Sequence, residues 1–273
     1  MDKIIEYMLA EDEGFGDITS NAVVEKGLEI SAKIVSKDEG ILAGMDIIRE
    51  VFEEYGVKVT FWLTDGSRIS KNDLLMSVVG DARTILLLER TVLNLSMRMS
   101  GVASAANRYV NMVKDYDVRV AGTRKTSPAI AKFDKYALQV GGADTHRFSL
   151  DDMVLIKDNH IATCESPLDA LLKAKMNTSF SKKIEIEVET LNDAIECVRN
   201  GADIVMLDNM SPNEVGEVID KLNELNIRQN SLIEVSGGIN EDNILDYAGL
   251  GVDIISMGAL THATRSLDFS LRF

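Results

Sequence analysis

The 273-residue chain has few cysteines, few histidines and no long apolar run, and each shortage excludes a class of protein. The two cysteines, Cys164 and Cys197, form no CxxC pair, so we expect neither a disulfide framework nor a cysteine-based zinc site. The three histidines, His146, His160 and His262, are too dispersed for a convincing metal cluster. No run approaches the roughly 18–20 apolar residues of a membrane span, so we expect no membrane partner.

The chain is also short of positive charge, with 29 Lys and Arg against 44 Asp and Glu and a formal net charge of −15. A field of that sign repels polyanions, so nucleic acid is not an expected partner. The first residues lack the basic start and apolar stretch of a secretion signal, and we expect a cytoplasmic protein with reduced thiols. Residues 119–147, however, carry six basic and two acidic side chains, and this local charge of +4 allows small anions to bind in a recessed pocket.

Hydrophobic periodicity changes along the chain. In the first 80 residues, short alternating or β-branched runs lie between glycines, which is typical of strands and turns. The elements predicted there are strands at Ile30–Val35, Val57–Leu63 and Leu74–Val79 and a helix at Ile47–Tyr55. From Asp81 the apolar spacing predicts a long helix that is interrupted at Gly101, with a second helical stretch that ends near Asp115.

The last 155 residues repeat a short buried strand followed by a helix. This alternation indicates a parallel sheet covered by helices, and the lack of a nucleotide-binding glycine fingerprint favours a barrel over an open dinucleotide-binding sheet. The predicted strands are Val118–Ala121, Met153–Ile156, Ile184–Val188, Ile204–Leu207, Leu232–Val235 and Ile254–Met257. The predicted helices include Pro167–Lys175, Leu191–Asn200, Glu214–Leu225 and Asn240–Gly249.

All six predicted strands end on polar residues or glycine, and cations follow several of them. Because parallel α/β folds build their active sites at the carboxyl ends of the strands, we expect these groups to share one site. Arginine binds a carboxylate or phosphate through a two-point fork, and lysine acts as a point charge. The cations therefore predict a pocket for a ligand with two or more negative charges. They are Arg124, Lys125, Arg147 and Lys157, with His146 beside them.

Two carboxylates and two glycine turns complete this predicted site. Glu187 and Asp208 end successive strands and could hold ribose hydroxyls, a Mg²⁺ ion on a pyrophosphate or a developing positive charge, or they could simply pair with the cations. The last two strands end on glycine turns, which let the backbone approach a phosphate. These turns comprise Ser236, Gly237, Gly238, Ser256, Met257 and Gly258. Together the groups favour transfer chemistry on a phosphosugar.

Several motifs resemble those of the quinolinate phosphoribosyltransferase family, in order and over nearly the whole chain. They are Glu11–Thr19, Glu89–Asn94, Ser100–Gly101, Thr123–Thr126, Lys135–Arg147, Leu155–His160 and Ser256–His262. The resemblance implies an α/β fold with an N-terminal α/β sandwich domain and a C-terminal incomplete, open α/β barrel. The expected domains are residues 1–106, joined by the tail 264–273, and residues 107–263. It also implies a homodimer, or an oligomer built from dimers, in which the partner's sandwich domain closes each barrel mouth.

The same resemblance implies the reaction, in which quinolinate and phosphoribosyl pyrophosphate give nicotinate mononucleotide, pyrophosphate and CO₂ with Mg²⁺, in de novo NAD biosynthesis. By this resemblance Arg90 would reach quinolinate in the neighbouring subunit. Lys125, Glu187 and Asp208 would be catalytic, and the two acids would hold Mg²⁺ indirectly, through water and pyrophosphate. The other substrate-binding residues would be Thr123, Arg124, His146, Arg147, Lys157, Ser236, Gly237, Gly238, Ser256, Met257 and Gly258. We hypothesise that Lys125 or Lys157 orients the carboxylate that is lost.

The chain departs from the family's pattern at three positions. Ala143 and Thr145 stand where glycine and asparagine are expected, in the loop that leads to His146, so substrate affinity or selectivity could differ. Asn72 stands where a turn glycine is usual, and we interpret that change as structural only.

Three alternative functions are compatible with parts of the sequence. A molybdenum-transport-associated paralogue of the same fold is disfavoured because the Leu155–His160 motif is intact. Nicotinate phosphoribosyltransferase, whose substrate has one carboxylate, is disfavoured by the number of cations. A non-catalytic phosphosugar-binding or structural subunit is expected to lack Glu187, Asp208 or the Arg124–Lys125 pair, and this chain has all of them.

Overall fold

The computed structural model describes residues 2–273, and the contacts within it group the chain into two compact units. The first unit comprises the residues up to 107 together with 126–142 and 263–273. The second comprises residues 108–125 and 143–262. No helix within residues 2–273 combines the length and the apolar character needed to cross a membrane.

The first unit is built on an antiparallel sheet with helices around it. Its helices are α1 (Lys3–Glu13), α2 (Ile18–Val23), α3 (Met45–Glu54), α4 (Ala82–Met112, which continues into the second unit) and α5 (Ala131–Val140). Its strands are β1 (Glu29–Ser36), β2 (Gly40–Ile41), β3 (Lys58–Phe61), β4 (Arg68–Ile69), β5 (Leu74–Asp81) and the last strand of the chain, β12 (Phe269–Arg272). Four of them form a sheet in the order β12-β1-β5-β3, and β2 pairs with β4. The three strands and the helix predicted in this region are confirmed as β1, β3, β5 and α3.

Asn72, where a glycine is expected, lies in the turn between β4 and β5, and its backbone conformation explains why asparagine can stand there. Asn72 has a φ of 75°, in the left-handed region, and its backbone N–H donates to the Ser36 carbonyl at 2.8 Å. Asparagine tolerates this region better than other residues with a Cβ, so the replacement preserves the turn.

Helix α4 is a single helix of 31 residues, so the predicted interruption at Gly101 is wrong. A Cβ at Gly101 would overlap the backbone carbonyl oxygen of Arg265 and would lie 3.0 Å from the Cα of Ser266. The glycine therefore lets the C-terminal segment pass close against the helix. Its role is close packing rather than helix termination.

Residues 126–142 lie in the first unit, although the sequence analysis places them in the second domain. Asp134 on α5 is fully buried and accepts two hydrogen bonds of 2.8 Å from the guanidinium of Arg98. Tyr136 on the same helix donates to the Asp65 carboxylate at 2.8 Å. A buried carboxylate needs a close cation to offset the loss of water, so the Arg98 pair holds α5 against this unit. The domain bounds given above stay a prediction.

The second unit is a parallel sheet covered by helices. Its strands are β6 (Arg119–Ala121), β7 (Val154–Ile156), β8 (Ile184–Val188), β9 (Ile204–Asp208), β10 (Leu232–Ser236) and β11 (Ile254–Ser256). Its helices are α6 (Asp158–Ile161), α7 (Pro167–Asn177), α8 (Leu191–Arg199), α9 (Pro212–Glu224), α10 (Ile244–Ala248) and α11 (Ala259–His262). The strand order is β6-β11-β10-β9-β8-β7, and every neighbouring pair is parallel.

This order confirms the predicted open barrel, because within residues 2–273 the end strands β6 and β7 do not pair with each other. All six predicted strands are present with bounds that agree to within one residue. One prediction is too long: the helix expected at Asn240–Gly249 forms only at Ile244–Ala248. The side chains of Asn240 and Asn243 cap backbone groups just before it, which competes with helix formation there.

The close packing at Gly101 gives a stability prediction with a matched control. Gly101→Ala should lower the free energy of unfolding by about 1–3 kcal/mol, because the new methyl group overlaps backbone atoms that cannot rotate away. Gly216→Ala in α9 should raise it by up to about 1 kcal/mol, because its Cβ would meet nothing closer than 3.9 Å and alanine is the better helix former. Chemical denaturation of the two variants measures both changes. A gain in stability for Gly101→Ala would contradict the packing role.

Candidate active site

The carboxyl ends of the parallel strands surround a cavity of about 610 Å³ in the second unit. Its position is the one predicted from the polar strand ends. All but one of the predicted site residues line it. They are Thr123, Arg124, Lys125, His146, Arg147, Lys157, Glu187, Asp208, Ser236, Gly237, Gly238, Ser256, Met257 and Gly258.

Arg90 is the exception. It lies on α4 in the first unit, its side chain is 59% exposed, and its guanidinium is 3.9 Å from the carboxylate of Glu89. Among residues 2–273 it therefore contributes nothing to the cavity lining.

The strand register sets the depth of each side chain in the cavity. Glu187 pairs with Met206, and Met206 pairs with Glu234, so these three side chains occupy one layer of the barrel interior. Asp208 pairs with Ser236, and Ser236 with Ser256, one layer closer to the mouth.

The two carboxylates predicted at the strand ends differ in their surroundings. Glu187 has a side chain that is only 10% exposed and accepts a 2.6 Å hydrogen bond from Lys157 Nζ. Asp208 accepts from Asn209 Nδ2 at 2.5 Å. Burial and the nearby Glu187 raise the pKa of Asp208 above its usual value. Lys157 thus neutralises Glu187, and its charge also acts against the rise in the pKa of Asp208.

Two exposed cations, Arg124 and Lys125, stand at the mouth of the cavity and a buried one stands deeper. The backbone of Lys125 is held in place: its N–H donates to Thr123 Oγ1 at 3.1 Å, and its carbonyl accepts from Thr261 Oγ1 at 2.7 Å. Arg147 is 7% exposed and donates to the Met153 carbonyl at 3.3 Å. Burial, and then the charge of Arg124, lower the pKa of Arg147, while the charges of Glu185 and Asp152 act in the opposite direction.

The glycine turns bring backbone close to the cavity. Gly237 has a φ of 96°, and a Cβ there would overlap the side chain of Asn209, so no side chain fits. A Cβ at Gly258 would lie 2.9 Å from the Cδ of Lys125. The buried Ser256 hydroxyl lines the same cavity and has no hydrogen-bond partner within residues 2–273. The turns therefore leave hydrogen-bonding groups for a ligand.

Two carboxylates in the barrel interior were not predicted. Glu185 and Glu234 are fully buried and lie 3.4 Å and 3.2 Å from His146 Nε2. Burial lowers the pKa of His146, but its hydrogen bonds to Glu185 and Glu234 outweigh burial and raise it to about 10. The sequence did hold a signal, since a glutamate within an otherwise apolar strand has to face the interior or break the pattern.

Six further residues that line the cavity were not predicted. They are Leu155, Met206, Asn209, Ile239, Ala259 and His262. Most are small or apolar and close the wall between the charged groups. The arrangement as a whole can hold a polyanion on its cations and stabilise positive charge beside its carboxylates.

Comparison with known proteins agrees with this arrangement. Residues 17–100 match the family described as quinolinate phosphoribosyl transferase, N-terminal domain, and residues 102–272 match its C-terminal domain. The chain is 49% identical to a probable nicotinate-nucleotide pyrophosphorylase [carboxylating] of Methanocaldococcus jannaschii, over 98% of this chain and 95% of that protein. It is 38% identical to the Rattus norvegicus nicotinate-nucleotide pyrophosphorylase [carboxylating], over 88% and 81% of the two chains.

Comparison with a solved structure shows that the fold is similar as well as the sequence. The crystal structure of NadC from Streptococcus pyogenes superposes with a TM-score of 0.91 at 37% identity, and the match covers 98% of this chain and 95% of that one. Both domain matches, the sequence identities and the shared fold lead to one conclusion. The chain belongs to the quinolinate phosphoribosyltransferase family.

Proposed function

We propose that this protein transfers the phosphoribosyl group of phosphoribosyl pyrophosphate to the ring nitrogen of quinolinate, with loss of CO₂, to give nicotinate mononucleotide and pyrophosphate. The observation that carries the proposal is the single cavity in which Arg124, Lys125 and Arg147 occur together with Glu187 and Asp208. Family membership gives the reaction, and the cavity has the charges that the reaction needs.

The cations supply the binding site for quinolinate. A dicarboxylate brings two negative charges, and Arg147 can grip one carboxylate through its planar fork. Arg124 and Lys125 supply further positive charge at the mouth. A substrate with a single carboxylate would leave part of this charge unpaired, which is unfavourable in a recessed site.

The carboxylates act on the sugar. As the pyridine nitrogen attacks the ribose C1 and pyrophosphate leaves, positive charge grows on the ribose, and Glu187 and Asp208 lie where they can stabilise it. Lys157 holds Glu187 by the 2.6 Å hydrogen bond and so fixes its orientation.

A magnesium ion fits the same pair. Burial, and then the charge of Glu187, raise the pKa of Asp208, and a divalent cation nearby would stabilise its ionised form. Glu187 and Asp208 would hold the ion indirectly, through water and pyrophosphate. When bound, the ion would neutralise charge on the leaving pyrophosphate. The two glycine turns and the unpartnered Ser256 hydroxyl provide hydrogen-bond donors for the phosphate groups.

Decarboxylation follows from the transfer. Once the ring nitrogen is bonded to ribose it carries positive charge and withdraws electrons, so CO₂ can leave while the electron pair of the broken bond stays on C2. C2 then takes up a proton from water. Lys125 and Lys157 both line the cavity, and either can orient that carboxylate.

The active unit is proposed to be a homodimer in which Arg90 completes the site of the neighbouring subunit. Its side chain is 59% exposed and lies outside the cavity of its own chain. Several large apolar side chains of α1, α2 and the loop between them are also exposed, and such clusters mark interaction surfaces. They are Tyr7 at 69%, Phe15 at 115%, Ile18 at 83% and Val23 at 77%.

An assay with two substrates tests the proposed reaction. The protein is incubated with phosphoribosyl pyrophosphate, Mg²⁺ and either quinolinate or nicotinate, and mononucleotide and CO₂ are measured. We expect mononucleotide and equimolar CO₂ from quinolinate, and little product from nicotinate because part of the positive charge stays unpaired. Product from nicotinate with none from quinolinate would contradict the proposal.

Two lysine variants test the decarboxylation step. In Lys125→Ala or Lys157→Ala the rate of CO₂ release should fall by about 10²-fold or more, because a charged group that orients the reacting carboxylate is lost. Lys173→Ala, which removes an exposed lysine paired with Asp169 on α7, serves as the control and should change nothing. The hypothesis fails if both cavity variants stay within about threefold of the parent rate.

Subunit complementation tests the proposed role of Arg90. Arg90→Ala and Lys157→Ala should each be nearly inactive alone. After the two are mixed and allowed to exchange, half of the dimers carry one of each subunit and have one intact site of two, so about a quarter of the parent activity should return. Each variant taken through the same exchange by itself is the control. No gain on mixing would mean that Arg90 serves its own chain.

A further inference from the structure

The residue that follows β9 makes a hydrogen bond to one of the two acids of the cavity. Asn209 lines the cavity next to Asp208, the last residue of β9. Its Nδ2 donates to Asp208 Oδ2 at 2.5 Å, and within residues 2–273 the Asp208 carboxylate accepts no other hydrogen bond. The other acid, Glu187, has a separate partner in Lys157 Nζ, at 2.6 Å. Each acid is thus held by a neighbour of its own.

The two partners differ in charge. The Lys157 ammonium offsets the negative charge of Glu187, whereas the Asn209 carboxamide donates a hydrogen bond without bringing a charge. Asn209 can therefore fix the direction of the Asp208 carboxylate and leave its negative charge in place. A carboxylate that is fixed but not neutralised is well suited to stabilise a positive charge that develops beside it.

The backbone around Asn209 is held from both sides. The Asn209 N–H donates to the Ser236 carbonyl on β10 at 2.9 Å. The carbonyl of the next residue, Met210, accepts from the Tyr247 hydroxyl at 3.1 Å, and Ser211 then caps α9. Asn209 itself has a φ of 54°, in the left-handed region that asparagine tolerates. The direction in which its side chain leaves the chain is therefore set by the fold.

The Asn209 carboxamide lies against the glycine turn that follows β10. A Cβ at Gly237 would overlap Asn209 Oδ1 and would lie 2.7 Å from Asn209 Cγ. A Cβ at the next residue, Gly238, would meet nothing within 4 Å. The crowding is thus specific to position 237, and it comes from Asn209.

We propose that Asn209 is a positioning residue that holds the Asp208 carboxylate in the direction of the ribose, and that position 237 is glycine because the Asn209 carboxamide occupies the space of a side chain there. The inference rests on the proposed function of Asp208. Asparagine meets three requirements at once: it tolerates a left-handed φ, it has a hydrogen-bond donor and it has no charge. Glycine lacks the donor, and aspartate replaces the donor with a second negative charge.

Without the carboxamide, a different partner is available to Asp208. The ammonium of Lys157 is close enough for its charge to act on Asp208. We expect an unheld Asp208 to turn towards that ammonium and away from the ribose, because opposite charges attract strongly in a recessed site. Such a turn moves the carboxylate by about 1 Å or more, and a misplacement of that size can cost up to about 10²-fold in rate.

A crystal structure of Asn209→Gly without substrates tests the positioning role independently of activity. Glycine adopts the left-handed backbone without strain, so the substitution removes the carboxamide and little else. We expect the Asn209–Asp208 hydrogen bond in the parent. In the variant we expect the Asp208 carboxylate to be displaced by about 1 Å or more, or to adopt two conformations. Absence of the hydrogen bond from the parent, or an unchanged Asp208 in the variant, would overturn the inference.

Asn226→Gly is the matched control. Asn226 has nearly the same φ, 55° against 54°, and it follows α9 outside the cavity lining. The same change of residue is thus made in the same backbone conformation. It should leave the position of Asp208 and all kinetic constants as they are in the parent.

Kinetic constants show whether the hydrogen bond acts on the reaction. In Asn209→Gly the kcat for nicotinate mononucleotide formation should fall about tenfold or more, while the KM of each substrate stays within about threefold. The reason is that the charge on the ribose develops in the transition state, so a misplaced Asp208 affects kcat and not binding. A KM for phosphoribosyl pyrophosphate that rises at the parent kcat would instead show direct substrate binding by Asn209 and would overturn the inference.

Asn209→Asp separates the donor from the shape of the side chain. Aspartate has the same size and also tolerates a left-handed φ, but when ionised it has no hydrogen to donate. It also brings a second negative charge next to Asp208. We expect kcat to fall at least as far as in Asn209→Gly, and a kcat equal to that of the parent would contradict the role of the donor.

A pair of melting temperatures tests the reason for glycine at position 237. Gly237→Ala should lower the melting temperature of the parent, because the new methyl group overlaps the Asn209 carboxamide. In the Asn209→Gly background the carboxamide is absent, so the fall should be smaller by about 2 °C or more. Equal falls in the two backgrounds would overturn this part of the inference.

The results distinguish failure of the inference from failure of the proposed function. If the parent makes no nicotinate mononucleotide from quinolinate, the proposed function fails, and the two crystal structures still decide whether Asn209 holds Asp208. If the parent is active and Asn209→Gly keeps its kcat to within about threefold, the positioning role fails and the proposed function stands.

Discussion

The alternation of side chains along six short parallel strands is the constraint on which the site depends. Every second residue of each strand faces the barrel interior, so the register that aligns Glu187 with Met206 also aligns Asp208 with Ser236. A slip of one residue in any strand would turn its polar groups towards the covering helices and bring apolar groups into the cavity. One register thus fixes both the hydrophobic contacts with the helices and the chemistry of the interior.

A polar barrel interior is costly, and this protein offsets the cost by pairing charges locally. Lys157 neutralises Glu187, and His146 lies between Glu185 and Glu234. Such pairs recover only part of the lost hydration, and apolar residues of similar volume would often give a more stable protein. Arg124 and Lys125 are exposed and line the cavity, so a bound anion can balance the local excess of positive charge there. This imbalance agrees with a formal net charge of −15 because it is confined to a recess.

Local patterns predicted the barrel well because most of its strands are short apolar runs that end on polar residues or glycine; the predicted strand Ile204–Leu207 differs by one residue from the observed Ile204–Asp208. The cavity followed from topology, since carboxyl ends of parallel strands meet at one edge. What could not be predicted depends on contacts between distant residues. The ion pair between Arg98 and Asp134 holds α5 in place. The backbone of Arg265 lies so close to helix α4 that position 101 has no room for a Cβ. Neither leaves a periodic signal in the sequence.

The pairing of β12 with β1 has a consequence for the order of events during synthesis. It joins Lys33 to Arg272, so the first sheet lacks an edge strand until the residues of β12 have left the ribosome. The six barrel strands lie between Arg119 and Ser256 and are all available earlier. Contacts between such distant residues carry a large loop-closure entropy and form late in folding. The nascent chain therefore holds an unpaired edge at β1 while the barrel is being assembled, which is the period when a chaperone would protect it.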